Sequence, residues 1–341
     1  MKALVLKSNA HLCFENVPDP EPRSNGDVLI EVKFSGVCGS DIPRAFHEKA
    51  YHYPLIMGHE FSGVVRSAPS ASGYVAGDRV IVYPLMPCRT CAACQTGDYA
   101  QCENYDYLGS RRDGGFAELV YAPSENLFKV PDRVALLSAS MTEPCAVALH
   151  GVEKLRIEAG MSALVIGGGP IGLLVAQWLR VKGCRNIIVS DVDATKLDLS
   201  ERLGFVPFDS RNADLVEAMQ DRGGVDCVVE ACGLPATFLQ AVNSAGRFGQ
   251  VVFMGNIQGT FAVPEKDFSR ILRNELKICG TWNSKVVPKG KDEWTRVLDF
   301  LDREIDVQSL VSHNPPLAEG AEVFDRIVQR QEPFNKVIFS L

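Results

Sequence analysis

No run of basic residues occurs anywhere in this chain, and its formal net charge is −7. Sequence-independent nucleic-acid binding and attachment to anionic membranes both draw on clustered Lys and Arg, so neither has an electrostatic basis here. A charged start followed by a long apolar segment is also missing, and no secretory leader is expected. Internal repeats and low-complexity tracts are absent, which removes repeat architectures. The one stretch that resembles a membrane span, residues 163–179, has seventeen residues and contains Gly-Gly-Gly-Pro and Gln177. That is the short limit for crossing a bilayer, and a buried strand–turn–helix accounts for it better. Composition is otherwise that of a globular protein, 46% hydrophobic and 23% charged, and 341 residues are long for one core. Two domains are expected.

What the chain has in quantity is cysteine, eleven in all. Four form Cys88-x2-Cys91-x2-Cys94-x7-Cys102, within fifteen residues. Four thiolates this close can surround one Zn²⁺, and structural zinc sites favour an all-cysteine shell. The bacterial iron–sulfur run has its fourth cysteine after three residues and then proline; here the gap is seven and Glu103 follows. Structural zinc is the expectation. Six further cysteines (Cys13, Cys145, Cys184, Cys227, Cys232, Cys279) are scattered, mostly in apolar runs, which fits a reducing cytoplasm rather than a disulfide framework.

A second group holds Cys38-Gly39-Ser40-Asp41, Gly58-His59-Glu60 and, far downstream, Glu143-Pro144. One thiolate, one imidazole and one or two carboxylates suit a catalytic zinc, which has three protein ligands and an open position. Taken singly, Cys38 and His59 read as ordinary core side chains; together, beside glycines, they read as ligands.

The third feature is Gly167-Gly168-Gly169-Pro170-Ile171-Gly172, between an apolar strand and an apolar helix, the context of a dinucleotide fingerprint. Gly167 permits the turn, Gly169 the approach of a pyrophosphate, and Gly172 close packing of helix on strand, with the helix N-terminus at Pro170 and Ile171 facing the phosphates. Asp191, about twenty residues on, closes the next strand, where an acid binds the adenine ribose 2′-OH and repels a 2′-phosphate. NAD is therefore expected over NADP.

Residues 1–151 read as strand-rich, with runs at 3–6, 28–34, 61–65, 79–83 and 116–121. From 152 to 282 strands alternate with helices, the strands near 162–167, 186–191, 205–208, 225–231, 249–255 and 276–281. A loop with Pro288 and Gly290 then leads to a helix at 292–302 and a closing strand at 336–341, which returns to the first domain. The predicted fold is α/β, a Rossmann doubly wound parallel sheet over 152–282 plus a β-rich zinc-binding catalytic domain made of 1–151 and 283–341.

With the stretches 35–46, 51–63, 84–118 and 268–284, these motifs make the chain resemble the zinc-dependent medium-chain dehydrogenase/reductase superfamily over its whole length. Glu143-Pro144, where simple alcohol dehydrogenases carry a cysteine ligand, points to the sorbitol dehydrogenase-like polyol branch. The resemblance implies a GroES-like first domain, two Zn²⁺ per chain and a homodimer or homotetramer. It implies that Cys38, His59 and Glu143 hold the catalytic zinc and that Glu60 approaches the metal as ligands exchange. Ser40 would take the proton of the alcohol. Many relatives place a histidine five residues after the first cysteine as the outer end of a proton relay; here Pro43 stands there, and water near His47 or His52 would substitute. The implied substrate is a secondary alcohol of a sugar-alcohol phosphate of the galactitol 1-phosphate type. The alternatives are an unphosphorylated polyol (sorbitol, galactitol, altritol or L-idonate), threonine or a diol, or a non-catalytic zinc and dinucleotide-binding regulator. A phosphate would want guanidinium groups, and Arg44, Arg111 and Arg112 are the candidates near the zinc motifs.

Overall fold

The computed structural model describes residues 1–257, 259–287 and 292–341. Pro288 and Gly290 of the expected loop lie outside the described residues. The chain divides into two compact units. The first comprises Met1–Glu143, Lys285–Arg303 and Val307–Leu341, and the second Pro144–Ser284 with Glu304–Asp306.

In the first unit, strands Leu127–Lys129, Arg79–Val82, Glu60–Ser67, Asp27–Gly36, Lys336–Ser340 and Val311–His313 are neighbours in that order, and Leu119–Pro123 also pairs with Asp27–Gly36. The pairings from Leu127–Lys129 to Lys336–Ser340 are antiparallel. The chain's last strand thus lies beside Asp27–Gly36, with Ile338 opposite Gly36, while Gly36 on its other side faces Glu60. A smaller sheet of His11–Asn16, Lys2–Ser8 and Leu55–Ile56 packs its buried face on Phe116, Phe324 and Phe339. The Phe116 ring meets the other two edge-on, 5.3 Å from Phe339 and 6.0 Å from Phe324, a favoured aromatic geometry.

The predicted run at 116–121 starts late: the strand is Leu119–Pro123. The Phe116 amide donates to the Met57 carbonyl and its carbonyl accepts from Leu4, so these bonds cross to other segments instead of a ladder partner. The helix expected at 292–302 is Glu293–Phe300, capped by Asp292, whose carboxylate accepts from the Thr295 amide at 2.7 Å. Its Trp294 is buried against Tyr83 and Phe128.

The second unit is a six-stranded parallel sheet in the order Val206–Asp209, Arg185–Asp191, Ser162–Ile166, Val225–Glu230, Ala245–Phe253, Lys277–Gly280. Numbered along the unit that is 3-2-1-4-5-6, the doubly wound dinucleotide-binding order, which reverses direction beside strand Ser162–Ile166. The central strands carry unbroken buried runs, as a sheet covered on both faces requires. Helix Thr142–Val152 divides between the units at Glu143/Pro144. Its later residues belong with the second unit, where the Trp178 indole donates to the Cys145 carbonyl at 3.1 Å. Residues Glu304–Asp306 belong there too: the Gln177 amide exchanges two hydrogen bonds with the Asp306 backbone.

Candidate active site

The four cysteines of the repeated motif come together through two short helical turns. Cys91 caps Ala92–Gln95, which carries Cys94, and Cys102 follows the turn Tyr99–Gln101. Their sulfurs lie within 4.8 Å of one another, with Cys88–Cys94 and Cys91–Cys102 each at 3.9 Å. Four thiolates about 2.3 Å from one ion stand roughly 3.8 Å apart at tetrahedral angles, the spacing that these two pairs already have. The Cys88 and Cys91 amides donate to Cys102 and Cys88 sulfurs at 3.2 and 3.4 Å. Hydrogen bonds from Thr90 and Cys91 bring the Cys88 thiol down to about 6. All eleven cysteines are unpaired.

The second ligand set also converges. Cys38 follows strand Asp27–Gly36, and His59 and Glu60 enter strand Glu60–Ser67, the neighbour of that strand. Ligand atoms of Cys38, His59 and Glu60 lie within 4.8 Å of one another. Glu143 is outside that tight group although sequence reading gave it a ligand's place and put Glu60 nearby. It is buried in the same environment, where Tyr107 donates to its Oε1 at 3.3 Å. The Tyr107 ring also meets His59 edge-on at 5.7 Å.

Two residues behind the ligands were not singled out in the sequence. Asp41 is fully buried: its Oδ2 accepts from the Cys38 amide at 2.9 Å, and its Oδ1 lies 3.6 Å from His59 Nδ1. Carboxylates behind a ligating histidine set its orientation and basicity. The Cys-x2-Asp spacing was the available signal. Lys336, from the last strand, is 3% exposed and pairs with Glu60 while donating to the Val37 carbonyl at 2.9 Å. No local signal could have found it.

Cys38, Asp41, Glu60 and Glu143 are four acidic groups around one histidine, offset by Lys336 and Arg44. Burial, reinforced by Glu60, Asp41 and Glu143, pushes the Cys38 thiol far up. Burial also pushes the Glu143 carboxyl up to about 7, against the pull of His59. Ionising this set without a further cation is costly, so its chemistry calls for a divalent ion. Ser40 is exposed and donates to the Cys38 sulfur at 3.3 Å. Pro43 lies in helix Asp41–Phe46, and the exposed His47 caps its end. His52 has both ring nitrogens against carbonyls, those of Pro54 and Arg111 at 3.0 and 3.3 Å.

The three arginines fare differently. Arg44 is bound to Asp41 at 2.6 Å and Arg112 to Asp106, so both already have a carboxylate partner. Arg111 has none among the described residues. Its guanidinium lies over the rings of Tyr105 and Tyr51, at 4.1 and 4.9 Å, and donates to the Tyr105 carbonyl at 2.7 Å.

The fingerprint lies as its spacing predicts. Gly167 has φ +110 and its amide donates to Ser190. A Cβ on Gly172 would run into the Gly167 carbonyl, while at Gly169 nothing stands within 4 Å of one. The open space at Gly169, the cap of helix Pro170–Val181, fits a pyrophosphate. Asp191 accepts from the Gly168, Val192 and Asp193 amides at 2.7, 2.7 and 2.9 Å, and Lys196 stands 3.9 Å from it.

Residues 24–132 match the alcohol dehydrogenase GroES-like domain and residues 170–303 the zinc-binding dehydrogenase family. Galactitol 1-phosphate 5-dehydrogenase of Escherichia coli is 31% identical, covering 92% of each chain. A crystal structure of galactitol-1-phosphate dehydrogenase from that organism matches with a TM-score of 0.94, 30% identity and all of both chains covered. Sorbitol dehydrogenase of Halalkalibacterium halodurans is 33% identical over 96% of each chain. A zinc-binding dehydrogenase from Sinorhizobium meliloti bound to NADP matches with a TM-score of 0.91 and 32% identity, covering 100% of this chain and 99% of that one. Two ligand sets, a dinucleotide fingerprint and these likenesses agree: the chain belongs to the zinc-dependent medium-chain alcohol dehydrogenases, enzymes of the polyol type that use zinc and a nicotinamide dinucleotide.

Proposed function

We propose that the chain catalyses reversible oxidation of a secondary alcohol in a sugar-alcohol phosphate by NAD⁺, giving the keto sugar phosphate, NADH and a proton. The observation that carries the phosphate is Arg111, the one candidate arginine without a carboxylate partner among the described residues. A guanidinium lying over two tyrosine rings, with no carboxylate to neutralise it among the described residues, keeps its positive charge available to a phosphate. Tyr105, which supports it, meets Tyr107 edge-on at 6.3 Å, and Tyr107 in turn touches His59, so one aromatic row runs from the arginine to the ligand set. The 31% identity to galactitol 1-phosphate 5-dehydrogenase supports the same reading.

In this reading Cys38, His59 and Glu143 hold the catalytic metal, with Glu60 beside it as the carboxylate that can approach during ligand exchange. Cys88, Cys91, Cys94 and Cys102 hold the structural one. Zinc supplies Lewis acidity toward the alcohol oxygen and NAD⁺ accepts the hydride. Ser40 accepts the alcohol proton at Oγ; Pro43 cannot carry it further, and it leaves to water. Asp41 orients His59, and Tyr107 holds Glu143 in place. Gly167, Gly169 and Gly172 shape the pyrophosphate cradle at Pro170 and Ile171, and Asp191 takes the ribose hydroxyls. Lys196 beside Asp191, with the NADP-bound neighbour, is what favours the NADP alternative.

The sheet edge at Lys277–Gly280, with Phe248 and Ile278 exposed, supports self-association into a homodimer or homotetramer. Eleven unpaired cysteines support a reducing cytoplasm.

The test is a screen of polyols and their phosphates with NAD⁺, followed at the NADH absorbance, for the native enzyme and Arg111→Ala. A charged hydrogen-bond partner is worth about 2–3 kcal/mol. The variant should therefore lose roughly thirtyfold to a hundredfold in kcat/KM on the phosphate and little on the free polyol. A native enzyme that prefers the free polyol, as a sorbitol dehydrogenase does by name, sinks the phosphate reading and installs the alternative.

A further inference from the structure

Glu60 is claimed from two sides. One carboxylate oxygen lies within 4.8 Å of the Cys38 and His59 ligand atoms, and Oε2 pairs with Lys336. Both partners are nearly sealed from water, Glu60 at 2% and Lys336 at 3% exposure. The lysine cannot easily swing away, because its ammonium also donates to the Val37 carbonyl at 2.9 Å, one residue before Cys38. Space for the pair depends on Gly36. A Cβ there would stand 2.5 Å from Glu60 Oε2 and 3.1 Å from Lys336 Cε. Strand pairing of Gly36 with Glu60 and with Ile338 keeps all three segments in register.

A metal site with four protein ligands is closed, whereas one with three keeps a position for substrate. This site has four candidate ligands, Cys38, His59, Glu60 and Glu143, and needs one of the carboxylates kept off. We propose that Lys336 is a positioning residue that holds Glu60 back from the metal as its counter-ion and so keeps the substrate position open. The inference rests on the reading that Cys38 and His59 hold a metal. Without the ammonium, the buried carboxylate loses the ion pair that it has among the described residues, and the metal is the cation beside it. Lys336→Met should therefore bind metal more tightly and react less.

The measurement uses full-length protein with cobalt in place of the catalytic zinc, whose visible spectrum reports the ligand shell. Native protein and Lys336→Arg should change spectrum on addition of imidazole, a probe of the open position. Lys336→Met should not respond, and should release its metal to a chelator about tenfold more slowly, the scale on which groups behind the ligands act. Adding Glu60→Gln to Lys336→Met should restore both the imidazole response and the native release rate. Glu60→Gln alone tests the idea independently of whether Lys336→Met folds. If Lys336 keeps Glu60 off the metal, the cobalt spectrum of this variant shows the native ligand shell. A spectrum with one ligand fewer would mean Glu60 already ligates, and the inference fails. A Lys336→Met spectrum that still answers imidazole overturns it as well. Lack of any thiolate-to-cobalt band in the native protein would instead overturn the metal reading beneath it.

Discussion

Around Cys38 and His59 the individual side chains are arranged against their own solvation preferences. Glu143, held near 7 by burial, starts from an ordinary value of 4.5. In protein stripped of its catalytic metal the folded state therefore binds a proton more tightly than the unfolded state does. Linkage then fixes the sign: the stability from this group is present below about 4.5 and is lost as pH rises through about 7. Metal-free protein, with the cysteine cluster still loaded, should lose thermal stability between about pH 4.5 and about pH 7 by calorimetry, and the metal-loaded protein should lose less. Equal pH dependence of the two would mean that Glu143 does not feel the metal. Arg44 teaches the same lesson at this scale. In the sequence it is a cation close to a zinc motif, but three residues away Asp41 takes its charge.

Short elements carry the parts of the site that were legible in advance. The cysteine loop is built on two single turns: Cys91 precedes and Cys94 lies in the first, Cys102 follows the second, and Cys88 stands ahead of both. Structural zinc contributes its binding energy directly to folding. Cys91→Ser should give protein that is insoluble or melts far below the native enzyme, with one metal fewer by elemental analysis. A soluble, merely inactive variant would contradict this. The strand–turn–helix from Ser162 to Val181 was equally readable, because Gly167 at φ +110 and Gly172 against the Gly167 carbonyl answer steric needs within the turn itself. Asp191 at the end of the following strand accepts three backbone amides beside the turn. Asp191→Ala should reduce the preference for NAD⁺ over NADP⁺ by roughly thirtyfold to a hundredfold in kcat/KM, the worth of one charged hydrogen bond. Unchanged discrimination would remove Asp191 from the cofactor site. The strand at 116–121 was misplaced for the opposite reason, since the bonds of Phe116 go to Leu4 and Met57, far away in sequence.

For the whole molecule, among the described residues no helix is long and apolar enough to cross a membrane. The exposed apolar groups instead include Phe248, Phe268, Leu272, Ile278 and Trp282, which lie in or next to the last two strands and the last helix of the second unit. An open strand edge with apolar neighbours is a template for another chain. Light scattering should give at least twice the 37.3 kDa chain mass, and Ile278→Lys should shift it toward the single chain. A native protein that scatters as one chain would end the self-association reading. The sequence by itself determined the cysteine loop, the dinucleotide turn and the alternation of strand and helix. Each of these is a matter of spacing or steric need within a few residues. Only the tertiary structure decided which charges are available. Lys336 reaches Glu60 across 276 positions, and Arg112 is bound to Asp106 while Arg111 is left to two tyrosines. Charge is long-ranged and is settled by whatever the fold brings near, and no local pattern in the chain records that.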